Sequence, residues 1–332
     1  MQLETDRPAP TWEGRYDGDG PEHRRIFQVV RPLHEAEGLV PDAVFLGFAS
    51  DAGVARNQGR VGAAQGPAAL RKALGTLALA RAFGSDRRQE LILADGGDIR
   101  VEDDQLEAGQ ERLGQAVAAV LDSGSLPIVL GGGHEVAYGT YLGAATSALR
   151  QQAGSGAHLG ILNLDAHFDL RSAEQATSGT PFSQALARET EKGGNLTYTV
   201  IGISEAANTQ VLFDTADTQG VAYLVDEEVT WGNTAVLDEF LASFLASVDL
   251  VYLTLDLDVL PAAVAPGVSA PAALGVDPAL INRIIGQVAA SGKLAVFDVA
   301  ELNPSLDIDG RTAKTAARLI HTVLTRHKPF PE

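Results

Sequence analysis

The sequence predicts an α/β fold: a single domain built on a doubly wound, mostly parallel sheet of eight strands, with helices on both faces. Two observations predict this class. Short apolar runs of strand length alternate with longer segments of helical periodicity along most of the chain. No linker, repeat or low-complexity segment divides these elements, so one domain is expected.

The predicted elements begin after residue 40. Pro8, Pro10 and Gly18 interrupt any earlier periodicity, so residues 1–40 are expected to form an N-terminal extension of loops, with one short helix near 24–33. The predicted strands are residues 43–49, 91–94, 127–130, 159–162, 197–203, 221–224, 250–255 and 294–297. The predicted helices are 66–83, 104–121, a segment after the third strand that ends near 151, 181–191, 234–246, 278–290 and 311–326, and residues 154–156 are a predicted connection.

The composition bears on partners and location. Forty-three acidic and 25 basic side chains give a net charge of -18, which argues against a nucleic acid or an anionic membrane as partner. There is no cysteine, so the chain has neither a disulfide framework nor a thiol nucleophile, and a cytoplasmic location is expected. No apolar run reaches the roughly 18 residues that a membrane helix needs.

Potential metal ligands follow the strand predicted at 159–162. Asp165, His167 and Asp169 fall at its carboxyl end and in the turn beyond it. Burying a carboxylate costs several kcal/mol unless a cation compensates the charge, and Arg171 is the only basic residue close by in the sequence. A divalent metal would compensate both carboxylates at once.

Two other predicted strands end in the same way. His134 follows the strand at 127–130, while Asp256 and Asp258 follow the strand at 250–255 and point to the same side. Ligands bind at the carboxyl ends of strands in open α/β sheets. Two imidazoles and four carboxylates are too many ligands for one ion, but they suit a pair of ions about 3.5 Å apart. Without cysteine the ligand types favour manganese over structural zinc, and magnesium or zinc stay open as alternatives.

The sequence resembles the ureohydrolase family of arginases, agmatinases and formimidoylglutamases. The motifs that carry the resemblance are residues 131–135, 165–169 and 256–258, with supporting matches at 60–71 and 298–304. The resemblance implies a single α/β domain at 41–332, an eight-stranded and mostly parallel sheet, and two Mn²⁺ ions per subunit. Carried over by motif position, the ligands of one ion are His134, Asp165, Asp169 and Asp256, and those of the other are Asp165, His167, Asp256 and Asp258.

Within that family the sequence is most similar to the formimidoylglutamases, at residues 56–63, 169–171, 178–182 and 265–271. This similarity implies hydrolysis of N-formimidoyl-L-glutamate to L-glutamate and formamide in histidine degradation. Hydroxide formed between the two ions is expected to attack the formimidoyl carbon. Asp169 and Glu301 are the expected catalytic residues: Asp169 transfers protons, and Glu301 faces the cationic nitrogen of the substrate.

A substrate derived from glutamate brings two carboxylates into an acidic pocket, which requires local cations. Arg171 and one of Arg56 or Arg60 are expected to hold it, because a planar guanidinium binds a carboxylate through two parallel hydrogen bonds. Ser178 is counted with these substrate-binding residues. It stands where arginases and agmatinases tend to carry a histidine, so the identity of the proton donor is left open.

Two alternative functions stay open at this point. The same chemistry on a guanidino substrate such as agmatine or guanidinobutyrate would release urea, although Arg171 would repel a substrate that carries an amine. A metal-binding regulatory or assembly protein without catalysis would keep the same ligands. The resemblance also implies a homo-oligomer that acts on a small molecule.

Overall fold

The computed structural model describes residues 3–36, 38–79, 91–152 and 157–330. One parallel sheet forms the centre of this part of the chain. Its strands are β1 (Val30–Pro32), β2 (Ala43–Ala49), β3 (Leu93–Arg100), β4 (Leu126–Leu130), β5 (Leu159–Leu164), β6 (Leu196–Ile203), β7 (Ala222–Val225), β8 (Leu250–Asp256) and β9 (Leu294–Ala300). Their order across the sheet is β1-β3-β2-β4-β9-β8-β5-β6-β7, and every neighbouring pair is parallel.

Helices alternate with the strands and cover both faces of the sheet. They are α1 (Ile26–Val29), α2 (Ala52–Arg56), α3 (Gly66–Gly75), α4 (Leu106–Asp122), α5 (Val136–Thr146), α6 (Ala148–Gln152), α7 (Pro181–Lys192), α8 (Gln210–Thr218), α9 (Thr234–Ser247), α10 (Pro278–Ala289) and α11 (Arg311–Arg326). In β8, Val251 and Leu253 belong to the hydrophobic cluster formed with α3, α9, α10 and α11. Tyr252 points the other way, into the cluster formed with α4, α5, α7 and α8. The predicted α/β class is therefore confirmed.

The strand order determines where a site can form. Between β4 and β5, which follow one another in the chain, the sheet contains β9 and β8. The carboxyl ends of these four adjacent strands therefore meet at one edge, where the direction of chain progression reverses. The central strands are buried at every residue, as expected for a parallel sheet covered on both faces.

The strands differ from the prediction at one side of the sheet. β1 is an additional strand that pairs with β3, so the sheet has nine strands rather than eight. β3 runs on through the polar and glycine-rich residues 95–98, which lie inside the strand. Arg71 explains this, because its guanidinium binds both carboxylates of that stretch, 2.7 Å from Asp95 and 2.5 Å from Asp98.

Some helices differ as well. Helix α3 ends at Gly75 rather than near 83, and residues 80–90 lie outside the described part of the chain. The segment predicted to end near 151 is divided into α5 and α6, with Ser147 between them. No prediction covered α2 or α8. The predicted connection at 154–156 lies outside the described residues.

The described residues that precede β2 pack against the sheet. The Trp12 indole is buried, and its Nε1 donates a hydrogen bond to Asp95 Oδ2 at 2.7 Å. Asp6 and Arg7 form a short antiparallel backbone contact with Asp98. Among the residues that the structure describes, no helix combines the length and the apolar character needed to cross a membrane.

Candidate metal centre

The predicted ligands all lie at the carboxyl edge of the four central strands. His134 follows β4, Asp165 follows β5, and Asp256 is the last residue of β8. Asp169 adopts a left-handed backbone conformation with φ of 49°, which a side chain other than glycine rarely takes. Such local strain is typical of functional sites, where the surrounding structure holds the residue in place.

The first group of potential ligands surrounds the imidazole of His134. Its Nδ1 atom lies 3.1 Å from Asp165 Oδ2, 2.9 Å from Asp169 Oδ2 and 3.1 Å from Asp256 Oδ2. None of these contacts has hydrogen-bond geometry, so this buried nitrogen has no hydrogen-bond partner among the described residues. Three carboxylate oxygens and an imidazole nitrogen, all within 4.8 Å of one another, fit a divalent metal ion.

A second group adjoins the first and shares Asp165 with it. It consists of Asp165, His167 and Asp258, with His167 Nδ1 3.0 Å from Asp258 Oδ2. The resemblance assigned Asp256 to both ions; its carboxylate lies with the first group, and its assignment to the second ion stays a prediction. Two adjacent groups with a common carboxylate fit the predicted pair of ions.

Buried hydrogen bonds orient these side chains. His134 Nε2 is 3.0 Å from Thr254 Oγ1, and a hydrogen on Nε2 leaves the Nδ1 lone pair directed at the carboxylates. Asn163 Nδ2 donates to Asp165 Oδ2 at 2.9 Å, and the backbone N–H of Asp258 donates to Asp256 Oδ1 at 2.8 Å. These hydrogen bonds therefore fix the orientation of the acidic and imidazole groups.

Burial and mutual repulsion oppose negative charge in the cluster. Burial, together with the neighbouring charges of Asp258 and Asp165, raises the pKa of Asp256 well above its usual value. Burial also raises the pKa of Asp169 to about 6. For His134 burial lowers the pKa, but the surrounding carboxylates outweigh it and raise the pKa well above its ordinary value. Protons and metal ions therefore compete for the same side chains.

A cavity of about 390 Å³ opens above the cluster. Its lining includes most of the candidate metal ligands and Glu301, together with Arg60, Arg171 and Ser178. Glu301 has a positive φ of 69°, and one of its carboxylate oxygens accepts a hydrogen bond from the backbone N–H of His134 at 2.9 Å. The cavity thus combines acidic side chains with two arginines.

Comparison with known proteins agrees with this geometry. A model described as the arginase family matches residues 41–325. The chain belongs to the arginase family. A formimidoylglutamase from Rhodococcus opacus is 55% identical over 324 residues, which covers 97% of each chain.

Solved structures in the arginase family share the fold. Formimidoylglutamase from Bacillus subtilis superposes with a TM-score of 0.74 at 23% identity, over 87% of this chain and 88% of that one. A formiminoglutamase from Trypanosoma cruzi, whose crystal structure is described as containing Mn²⁺, gives a TM-score of 0.71 at 26% identity. That comparison covers 87% of this chain and 95% of the other.

The predicted substrate-binding arginines of this arginase-family chain differ in their contacts. All five N–H donors of Arg56 are used: its guanidinium binds Asp104, Glu107 and the carbonyl oxygen of Ala176. Its side chain is largely buried by these contacts and does not line the cavity. Of the two candidates for the second substrate-binding arginine, Arg60 lines the cavity and Arg56 does not.

Arg60 and Arg171 keep unused donors. Arg60 Nε and Nη2 donate to the carbonyl oxygens of Ser269 and Val268 at 2.9 and 2.8 Å, which leaves three N–H groups. The Arg171 guanidinium has no hydrogen-bond or ion-pair partner among the described residues, and its stem packs against Gly179. Ser178 lies beside them and accepts a hydrogen bond from Asn57 Nδ2 at 3.2 Å.

The sequence analysis missed several residues of this site. Asn57 and Asn208 line the cavity, and Thr254 contacts His134. Thr254 could have been found, because period 2 places it on the same side of β8 as Asp256. Asn208 could have been found as another polar residue beyond a strand end, since it follows β6. Nothing in the sequence marks Asn57 apart from its neighbours.

Proposed function

We propose that this chain is a binuclear manganese hydrolase that converts N-formimidoyl-L-glutamate and water to L-glutamate and formamide. The observation that carries the proposal is a single cavity that joins two groups of metal-binding side chains to two arginines with unused donors. The 55% identity to a formimidoylglutamase over nearly the whole of both chains supports the same substrate.

The two arginines match the charges of this substrate. N-formimidoyl-L-glutamate carries two carboxylates and one cationic formimidoyl group. Arg60 offers three free N–H donors and Arg171 offers five, so each can bind a carboxylate through two hydrogen bonds. Asn57 adds a side-chain oxygen in the same wall, which can accept an N–H of the substrate. We assign these residues to substrate binding, together with Ser178.

The proposed ligands are His134, Asp165, Asp169 and Asp256 for one Mn²⁺ ion and Asp165, His167 and Asp258 for the other, and we propose that Asp256 also contributes to the second ion, as the resemblance implies. Bound there, the ions would supply Lewis-acid chemistry, lowering the pKa of a water and offsetting negative charge that develops during hydrolysis. In the overall reaction the oxygen of a water molecule joins the formimidoyl carbon, the bond from this carbon to the glutamate nitrogen breaks, and formamide keeps the imino nitrogen.

Two carboxyl groups of the chain act on the protons and charge of this reaction. Asp169 lines the cavity, and we propose that it accepts the proton of the attacking water and passes it to the departing glutamate nitrogen. Burial, with repulsion from Glu135, raises the pKa of Glu301 to about 8. A cationic formimidoyl group beside Glu301 favours its ionised form, so binding of the substrate and ionisation of this carboxyl support each other.

The direct test is turnover of the Mn²⁺-loaded enzyme with formimidoylglutamate, agmatine, guanidinobutyrate and arginine, measuring formamide, glutamate and urea separately. We expect formamide and glutamate from the first substrate and no urea from the others. Urea from a guanidino compound would overturn the substrate assignment. The control is the Asp256→Asn variant, in which a charged ligand is removed. This variant should lose its bound manganese and its turnover.

We also propose that residues 41–332 form the metallohydrolase domain, that residues 1–40 are an extension of it, and that the enzyme is a cytoplasmic homo-oligomer. The family match at 41–325 supports the domain bounds. A composition without cysteine suits a reducing compartment. Light scattering after size-exclusion chromatography tests the assembly, and a monomeric mass would contradict it.

A further inference from the structure

The two imidazoles of the metal centre are held in different ways. The ring of His134 is buried and its Nε2 contacts Thr254 Oγ1. The ring of His167 is one-quarter exposed, and its Nδ1 contacts only the carboxylates of Asp165 and Asp258. No side chain outside the proposed ligands hydrogen-bonds this ring among the described residues. The position of His167 therefore depends on its backbone.

Asn208 holds that backbone on both sides of His167. Its Nδ2 donates to the carbonyl oxygen of Ala166 at 2.9 Å, and its Oδ1 accepts from the N–H of Phe168 at 3.2 Å. A second hydrogen on Nδ2 goes to the carbonyl oxygen of Ser204 at 2.9 Å, which fixes the amide itself. Only 8% of the residue is exposed.

Asn208 also lines the cavity, so a role in binding substrate has to be considered. Both hydrogens of its amide are used by backbone carbonyls, and its oxygen already accepts the Phe168 N–H. It has no donor left for a substrate carboxylate. Asn57, in contrast, keeps its side-chain oxygen free in the same wall.

We infer that Asn208 is a positioning residue for the metal centre, which sets His167 for the ion bound by Asp165, His167 and Asp258. The role of Asn208 rests on the metal-binding part of the proposed function and not on the identity of the substrate. His134 keeps its own contact with Thr254 when Asn208 is changed, so the other ion retains its imidazole ligand. Loss of Asn208 should therefore weaken the binding of the His167 ion and leave the binding of the His134 ion unchanged.

The test compares manganese binding by the full-length protein and by the Asn208→Ala and Asn208→Asp variants. Calorimetric titration and elemental analysis give affinity and stoichiometry, and electron paramagnetic resonance distinguishes a coupled ion pair from an isolated ion. Removing hydrogen-bond partners of metal ligands weakens metal binding by about 10-fold to 100-fold. Asn208 acts only through the backbone, so we expect an effect at the lower end of that range. The ion held by Asp165, His167 and Asp258, here called the second ion, should bind about tenfold more weakly in Asn208→Ala.

Asn208→Asp separates hydrogen bonding from packing. Aspartate has nearly the same shape as asparagine but would direct an oxygen at the carbonyls of Ala166 and Ser204, so this variant should bind the second ion at least as weakly as Asn208→Ala. Excess Mn²⁺ should restore turnover to both variants, because mass action refills a weakened site but does not repair a misfolded one. Wild-type affinity in Asn208→Asp would overturn the inference.

The matched control is Asn233→Ala. Asn233 likewise precedes a helix and donates from Nδ2 to a turn carbonyl, that of Glu228 at 2.9 Å, but it does not line the cavity. It should bind both ions as the wild type does. The role of Asn208 is contradicted if Asn208→Ala lowers the affinity for both ions equally. It is also contradicted if the affinity for both ions is unchanged. Failure of the wild type itself to bind two ions would instead contradict the proposed function.

Discussion

Replacing Arg171 with alanine should raise the KM for formimidoylglutamate while leaving kcat and stability nearly unchanged. The guanidinium of Arg171 makes no hydrogen bond or ion pair with the described residues, so its removal breaks no such contact in the free protein. Its proposed partner is a substrate carboxylate. A hydrogen bond to a charged group contributes about 1.5–3 kcal/mol, which corresponds to a KM increase of about 10-fold to 150-fold. The exposure of Arg171 to solvent favours the lower end of that range.

Two neighbouring arginines provide the comparison. Arg60→Ala removes a cavity guanidinium that also binds the carbonyls of Val268 and Ser269, so it should raise KM and lower the melting temperature together. Arg56→Ala removes only the contacts to Asp104, Glu107 and Ala176, so it should lower the melting temperature without a change in KM.

Steady-state kinetics at saturating Mn²⁺, with glutamate as the detected product, measure the KM values, and thermal unfolding measures stability. An unchanged KM in Arg171→Ala refutes the carboxylate-binding role of this residue. A KM increase accompanied by loss of bound manganese would show that Arg171 acts on the metal centre instead. Equal KM increases in the Arg171 and Arg56 variants would show that the loss is structural.

Three further predictions concern other groups. Glu301→Gln should lower kcat/KM by about tenfold or more with manganese content unchanged, because it removes an anion that faces the substrate but no proposed ligand; loss of manganese would contradict this. Manganese affinity should rise with pH, because the His134 and Asp169 pKa values are raised and protons must leave before an ion binds; calorimetry at several pH values measures it, and a flat profile would contradict it. Arg71→Ala should lower the free energy of unfolding in urea by about 3–5 kcal/mol, since two carboxylates lose their buried partner, and kcat should not change.

The clustering of the candidate metal ligands could be predicted because local sequence marks them. Each follows an apolar strand, and the carboxyl ends of parallel strands meet at one edge of a sheet. His134, Asp165 and Asp256 are far apart in the chain but are marked by the same pattern. The sequence could not show which of these ligand atoms lie within 4.8 Å of one another, because the folded chain decides those distances.

The arginines show where sequence reasoning fails. Arg56 and Arg60 are four residues apart on the same glycine-rich segment, and nothing local distinguishes them. Their contacts are decided by partners that the fold brings in: Glu107 on α4 binds Arg56, whereas the carbonyls beyond β8 use only part of the donors of Arg60. β3 is a similar case, because its polar residues 95–98 resemble a loop until Arg71 on α3 neutralises them.

The topology also explains how metal binding depends on the whole chain. The ligands after β4 and β5 are brought together across β9 and β8, which come from the last third of the sequence. His134 cannot meet Asp165 in the observed geometry until those strands are in place between them. Because the unfolded chain lacks the assembled site, ions that bind the native form shift the equilibrium towards folding of both halves. Without a cation the buried carboxylates oppose folding. Manganese therefore stabilises the folded state through these same groups.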